Sequence, residues 1–202
     1  MIRDGFVFVD EFIPGIKWDA KYAGSDNFMG RPAEGYLVNR AVISLEAARA
    51  LKEAQKMAED IGLCLFVFDA YRPARAVKDF CTWAIDASDT LRKRVHYPNI
   101  DKSALIPEGY IAARSGHSRG SVVDLTLCDK EGNRLDMGTI FDFMDPLSHH
   151  DCPNITCEQT RNRALLRKIM LSCGFEDYDC EWWHYRLKDE PYPDTYFDFV
   201  IE

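Results

Sequence analysis

The sequence predicts an α+β fold, in which a single domain contains a central, mainly antiparallel sheet flanked by helices. Three observations support this class. The chain has 202 residues, of which 47% are hydrophobic and 29% charged, enough for one domain with a buried core. Helical and strand-like segments alternate irregularly, unlike the regular repeat of a parallel α/β sheet. No internal repeat, linker or low-complexity segment interrupts the chain, so we expect one domain over residues 1–202.

The first part of the chain contains one strand signal and one strong helix signal. Residues 6–9 alternate in hydropathy, which predicts an early strand. Residues 45–61 are rich in Ala, Leu, Glu and Lys and repeat their apolar positions at helical spacing. Ser44 is a suitable N-cap and Gly62 a suitable stop, so we expect a helix between them.

A second strand and a second helix are predicted directly after the first helix. Residues 63–68 form a short, continuous apolar run, which is typical of a buried strand. Pro73 suits the first turn of a helix, which we expect over residues 74–87. Residues 88–114 are polar and predict a loop.

The C-terminal half contains two further strands and one helix. Residues 122–127 predict a buried strand, and the aromatic segment 182–187 predicts another core strand. Thr156 and Gln159 have the spacing of a capping box, which indicates a helix that runs from there to Cys173 and stops at the following glycine.

A cluster of polar residues precedes the strand predicted at residues 122–127. It runs from Ser115 to Asp124 and contains His117 and Gly120. The glycine lets the chain turn, and Asp124 then lies inside an apolar strand, where a carboxylate is costly to bury unless it is paired or binds a metal. Taken alone, the pattern fits a capped turn with Asp124 facing solvent better than a metal site.

A second cluster contains Glu181 and His184, which are three residues apart. In a flat strand these side chains would point to opposite faces, so sharing one site requires a bulge or bend near Glu181 and Trp182. The alternative is a half-exposed strand with ordinary charges. The adjacent Trp182 and Trp183 favour a buried wall or pocket instead.

Together the two clusters offer three N/O metal ligands and a spare carboxylate. Three such ligands with an open fourth position are typical of a catalytic zinc site, and the spare Glu can take a proton from water. The clusters therefore predict a hydrolase with one zinc ion (Zn2+) per chain. Arg72, at a strand end before Pro73, is either a directed guanidinium that stabilises an oxyanion or a surface residue paired with an acid.

These motifs resemble the D-alanyl-D-alanine dipeptidases of the VanX type. The shared pattern is Tyr-Arg-Pro, then Ser-x-His-x-x-Gly-x-x-x-Asp, then Glu-x-x-His. That family belongs to a wider group of zinc peptidases, which includes D,D-carboxypeptidases and the hedgehog signalling domain. Further matching segments make the resemblance nearly full-length: residues 18–23, 118–121, 141–145, 148–150, 181–185 and 189–193.

The resemblance implies a role for eight residues of this chain. Three of them would bind zinc, and Glu181 would act as catalytic base and acid. Arg72 would stabilise the tetrahedral intermediate, and Ser115 would help to hold the substrate carboxylate. Tyr22 and Asp142 would lie near the substrate amino group. The implied zinc ligands are His117, Asp124 and His184.

The implied reaction is zinc-dependent hydrolysis of the dipeptide D-Ala-D-Ala to two D-Ala, in glycopeptide (vancomycin) resistance or in D-Ala salvage. Two alternatives remain open. One is a D,D-carboxypeptidase that acts on longer peptidoglycan peptides, and the other is a non-catalytic, zinc-bound binding module. Retention of Glu181 and Arg72 beside all three ligands favours an enzyme.

Composition argues against a nucleic-acid partner, whereas the small-molecule substrate, D-Ala-D-Ala, is what the resemblance implies. The net charge of −8 is unsuited to nucleic acid, which requires Lys and Arg to meet phosphates. No apolar run approaches the roughly 18–20 residues that span a bilayer, and no signal peptide is visible, so we expect a cytoplasmic protein without a membrane partner. The seven cysteines, an odd number, indicate reduced thiols. The sequence leaves a homo-oligomer open.

Overall fold

A five-stranded mixed sheet forms the centre of the computed structural model, which describes residues 2–202. Residues 2–202 also contain a separate two-stranded sheet and five α-helices. The strands are β1 (Phe6–Phe8), β2 (Lys17–Trp18), β3 (Val42–Ser44), β4 (Cys64–Asp69), β5 (Val122–Cys128), β6 (Phe175–Tyr178) and β7 (Glu181–Leu187). The helices are α1 (Val9–Phe12), α2 (Leu45–Glu59), α3 (Ala74–Ile85), α4 (Lys93–His96) and α5 (Cys157–Ser172).

The large sheet has the order β2-β4-β5-β7-β6. Only the β2–β4 pair is parallel within it, and the other neighbours are antiparallel. β1 and β3 pair antiparallel in the small sheet. The predicted α+β class with a mainly antiparallel sheet is therefore confirmed.

The long helices begin where their capping residues predict. The Ser44 hydroxyl accepts a hydrogen bond from the backbone N–H of Ala47 at the start of α2. At the start of α5, Thr156 N–H donates to Gln159 Oε1 (2.8 Å), and Gln159 N–H donates to Thr156 Oγ1 (3.2 Å), which completes the capping box. A single hydrophobic cluster joins residues from Phe6 to Ile201 around the sheet.

Several short elements differ from the sequence prediction. Val9 starts α1 instead of ending β1. Pro73 occupies the N-cap position immediately before α3 and is not part of its first turn. The segment 88–114, predicted as loop, contains α4 and a 3-10 turn at Lys102–Ala104. β2, β3 and β6 have two to four residues, too few to give a hydropathy pattern of their own.

Candidate active site

Three polar residues form one row across the central strands of the sheet. Asp69 of β4 pairs with Asp124 of β5, and Asp124 pairs with His184 of β7. Two carboxylates directly opposite each other would repel. Arg72 relieves this repulsion, because its Nε lies 2.9 Å from Asp69 Oδ2 and its Nη2 lies 3.4 Å from Asp124 Oδ2. Arg72 is thus paired with acids, as one alternative expected, but inside the molecule instead of on its surface.

His117 reaches this row from a 3-10 turn at Gly116–Arg119. Ser115 caps the turn by accepting a hydrogen bond from His117 N–H (3.3 Å), and Gly120 ends it at φ 86°. The His117 ring donates its Nδ1–H to the Ala70 carbonyl at 2.6 Å. The neutral ring therefore leaves an unprotonated Nε2 facing the row.

The geometry of His117, Asp124 and His184 fits a metal ion. Their ligand atoms all lie within 4.8 Å of one another. His117 Nε2 is 3.2 Å from Asp124 Oδ2 and 3.4 Å from His184 Nδ1, which is itself 3.1 Å from Asp124 Oδ1. Three atoms with lone pairs thus converge, and a cation is what such a donor set accommodates. Within residues 2–202 no other His, Cys, Asp or Glu joins this group, so a coordination position is left for water or substrate.

Glu181 shares the cavity with His184 because β7 is irregular between them. Asp177 pairs with Tyr185, but the next residue, Tyr178, pairs with Glu181, so the register slips across this part of the strand. The predicted bend is confirmed, and Glu181 Oε2 lies 3.5 Å from His184 Nδ1. Burial raises the pKa of Glu181, and the nearby Asp124 charge adds to this effect, against the lowering influence of His184.

A cavity of about 230 Å³ opens in front of these side chains. Trp183 lines it together with Glu181 and His184, but Trp182 does not, since the register of β7 slips here. Trp182 instead donates its indole N–H to Thr139 Oγ1 (2.7 Å) beside a different cavity. The expected double tryptophan wall was therefore wrong for Trp182. The cavity brings together all eight predicted site residues: Tyr22, Arg72, Ser115, His117, Asp124, Asp142, Glu181 and His184.

Asp142 and Tyr22 occupy one wall of this cavity. The Tyr22 hydroxyl donates a 2.7 Å hydrogen bond to Asp142 Oδ2. Burial raises the pKa of Asp142 well above its usual value, since no cation pairs directly with its carboxyl group among the described residues. Asp142 is also the one non-glycine residue of the described chain with a positive φ (57°).

Three residues near the site were missed by the sequence analysis. Asp69 accepts hydrogen bonds from Arg72 and from the Tyr36 hydroxyl, and its place at the end of an apolar strand could have revealed it. Arg114 lines the cavity 4.0 Å above the Tyr196 ring and forms no ion pair within residues 2–202. His96, in the predicted loop, contacts Asp142 from behind, and no sequence pattern indicates this.

Comparisons with known proteins identify the family of this chain. A family model for D-ala-D-ala dipeptidase (Peptidase M15) matches residues 3–202. A D-alanyl-D-alanine dipeptidase of Streptomyces coelicolor is 53% identical over 97% of this chain and 98% of its own. Those of Enterococcus faecium and Enterococcus faecalis are each 50% identical, over 98% and 99% of this chain and 98% and 100% of their own. The chain therefore belongs to the M15 family of D-Ala-D-Ala dipeptidases, which are metal-dependent peptide hydrolases.

Proposed function

We propose that this chain is a zinc-dependent dipeptidase that hydrolyses D-Ala-D-Ala to two D-Ala, with residues 1–202 acting as one catalytic domain. The observation that carries the proposal is the convergence of three metal-ligand atoms within 4.8 Å beside the cavity-lining Glu181. Relatives that are 50–53% identical carry the same activity in their names, which supports the same substrate here.

One zinc ion would be held by His117, Asp124 and His184, whose ligand atoms converge beside the cavity. Bound zinc supplies a Lewis acid that acidifies water and polarises a carbonyl group. The protein fixes this ligand set through the Ala70 carbonyl, which orients His117, and through Arg72, which lies against the Asp124 carboxylate.

Glu181 moves the proton during hydrolysis. Its carboxylate accepts a proton from the attacking water and then delivers it to the leaving amine. A raised pKa suits both steps, since the group must be ionised for the first and a competent acid for the second. Arg72, fixed by Asp69, stabilises the negative charge that develops on the carbonyl oxygen.

The two ends of the dipeptide are recognised by opposite charges. Its ammonium group binds at Asp142 and Tyr22, where a carboxyl group without a cation lies on the cavity wall. Its carboxylate binds at Ser115 and at Arg114, a cation of the cavity that no acid of residues 2–202 neutralises. The cavity, about 230 Å³, is smaller than the roughly 300–1,000 Å³ typical of pockets for larger ligands. An N-terminally extended peptide would leave Asp142 facing a neutral amide, so dipeptides are preferred.

This activity acts in the cytoplasm, in glycopeptide resistance or D-Ala salvage. No helix within residues 2–202 is both long and apolar enough to cross a bilayer. Cell fractionation and D-Ala-D-Ala levels in cells that lack the protein test this part of the proposal.

The activity itself is tested by D-Ala release from three substrates: D-Ala-D-Ala, its N-acetyl form and D-Ala-D-Ala-D-Ala. We expect rapid cleavage of the free dipeptide only, loss of activity with a chelator, and recovery on addition of zinc. Metal content of wild type and His184→Ala, measured by atomic emission, provides the matched control. Equal cleavage of the N-acetyl form or tripeptide would indicate a carboxypeptidase, and zinc binding without any cleavage would indicate a binding module.

A further inference from the structure

The backbone of Asp142 is in a conformation that costs free energy. Its φ of 57° lies in the left-handed region, which residues other than glycine occupy only rarely. Such a conformation persists only where neighbouring groups enforce it.

His96 holds the Asp142 segment at two points. Its ring Nδ1–H donates to the Asp142 carbonyl oxygen (3.0 Å), and its own carbonyl accepts from Met144 N–H (2.7 Å). His96 is only 3% exposed and does not line the cavity. The side chain and backbone of one buried residue therefore fix both sides of the turn that presents the Asp142 carboxyl group.

The other ring nitrogen of His96, Nε2, begins a chain of polar contacts that leads to the segment containing Tyr22. Arg92 Nη2 donates to His96 Nε2 (3.4 Å) and contacts Asp26 (3.1 Å), which pairs with Lys21 (2.7 Å). Lys21 precedes Tyr22. Polar contacts thus link Asp142, through His96, to the segment that contains Tyr22, which is the hydrogen-bond partner of the Asp142 carboxyl group.

This network requires a neutral ring with its proton on Nδ1. That tautomer donates to the Asp142 carbonyl and accepts from Arg92, so both contacts are satisfied. Burial lowers the pKa of His96 to about 4, and the Arg92 charge acts in the same direction. The ring accordingly keeps one donor and one acceptor at neutral pH.

We propose that His96 is a positioning residue for the substrate ammonium group: it holds Asp142 in its left-handed conformation, and so keeps the carboxylate beside Tyr22 and directed at the cavity. The proposal rests on the proposed dipeptidase function. Without the Nδ1–H donor, the backbone of Asp142 can relax out of the costly conformation and carry its carboxyl group away. Ammonium recognition is then weakened, while the zinc ligands and Glu181 are left in place.

The variants His96→Leu and His96→Asn separate positioning from packing. Leu removes both polar contacts of the ring, whereas the Asn amide N–H can replace the Nδ1–H donor. We expect His96→Leu to raise the KM for D-Ala-D-Ala about tenfold, the equivalent of about 1.4 kcal/mol, with kcat changed less than about threefold. The preference for the free amine over the N-acetyl dipeptide should fall with it. His96→Asn should retain most of the wild-type KM and preference.

A double-mutant cycle with Asp142→Asn tests whether His96 acts through Asp142. If it does, adding His96→Leu to Asp142→Asn changes KM less than about twofold, because the charge to be positioned is already absent. An equal KM effect in both backgrounds, or a kcat effect with unchanged KM, would overturn the proposal. Unchanged zinc content in each variant excludes a disturbed metal site.

A crystal structure of His96→Leu keeps this proposal separate from the proposed function. The expected result is that Asp142 leaves its positive φ and loses the Tyr22 hydrogen bond. An unchanged Asp142 conformation would refute the positioning role whatever the kinetics show. If wild type fails to cleave D-Ala-D-Ala, the proposed substrate is wrong. The conformation of Asp142 in His96→Leu still tests, independently of activity, whether His96 holds Asp142 in place.

Discussion

Four carboxyl groups lie at or beside the cavity, and their partners give each a different environment. Asp69 is paired with Arg72 and Tyr36, and its Oδ2 lies 3.5 Å from His117 Nδ1. Asp124 faces two imidazoles, which lower its pKa although burial alone would raise it. Asp142 and Glu181 have raised pKa values. Burial raises the pKa of Asp69 as well, so the partners of the four groups distinguish them more than their acidities do, and we propose the roles of anchor, metal ligand, ammonium receptor and proton carrier on that basis.

Replacement of Glu181 by Gln isolates the proton-transfer step. Gln keeps the shape of the side chain but cannot accept a proton as a base. We expect kcat to fall by at least the ~10²–10⁴-fold typical of a lost general base, with zinc content unchanged. Steady-state kinetics and metal analysis of one preparation give both values. Near-normal turnover in Glu181→Gln would assign proton transfer to another group.

Arg114 provides a direct test of carboxylate recognition. Arg114→Met keeps much of the aliphatic length but removes the cation, so the KM for D-Ala-D-Ala should rise about tenfold while kcat changes little. D-alanyl-D-alaninamide, which lacks the carboxylate, should be insensitive to the replacement. A parallel loss for the amide substrate would show that Arg114 supports the cavity structurally instead.

The raised pKa of Asp142 gives substrate binding a pH dependence of known sign. Below that pKa the carboxyl group is neutral and must lose its proton to pair with an ammonium. Dipeptide affinity should therefore fall as pH decreases through this pKa and reach its maximum above it. In Asp142→Asn the KM should exceed the wild-type value above this pKa and approach it below, so that this acidic limb disappears. Inhibition constants for a non-hydrolysed dipeptide analogue, measured as a function of pH, report this binding without a contribution from the catalytic proton transfer at Glu181.

At the scale of elements, two local irregularities assemble the site. The slipped register of β7 brings Glu181 and His184 into one cavity, and the turn ending at Gly120 directs His117 toward the same point. Gly120 has a φ of 86°, and a Cβ there would clash with the ring of Phe6. Both conformation and space therefore require glycine at this position.

Gly120→Ala should destabilise the protein more than Gly62→Ala. Gly62 has a similar φ (81°) but no atom within 4 Å of an added Cβ, so its replacement costs only the backbone term of about 1–2 kcal/mol. At Gly120 the clash with Phe6 adds about 1–3 kcal/mol, and zinc affinity should fall because His117 shifts. Urea unfolding of both variants measures the difference. Equal destabilisation would mean that Phe6 moves aside freely.

The sequence was informative where a physical rule links residue type to position. Capping residues located α2 and α5, and the spacing between Glu181 and His184 required the bend that β7 contains. The sequence could not show that the side chain of Trp182 leaves the cavity, because the slipped register fixes which residues face it. The contacts of His96 and Arg114 could not be predicted from the sequence either, because they join segments that are remote in the chain.

At the scale of the whole molecule, buried neutral histidines link stability to pH. Burial lowers the pKa of both His96 and His150 to about 4, and neighbouring arginines act in the same direction. The two rings lie in different parts of the structure, one in α4 and one after the 3-10 turn Pro146–Ser148. In the unfolded chain each histidine titrates near its ordinary pKa of about 6.5.

The folded protein should consequently lose stability as pH falls from about 6.5 toward 4. Over that range the unfolded chain binds protons that the folded chain excludes, so the free energy of unfolding rises with pH and levels off above 6.5. The two pKa values of about 4 imply a cost of about 2 kcal/mol per histidine at pH 5.

Urea unfolding with a chelator present, at pH 7 and pH 5, measures this loss without a contribution from metal release. His150→Gln should reduce the loss by about 2 kcal/mol, and addition of His96→Asn should reduce it again by a similar amount, because the sites are separate. An undiminished loss in the double variant would place the acid sensitivity in the carboxyl groups and imidazoles of the cavity.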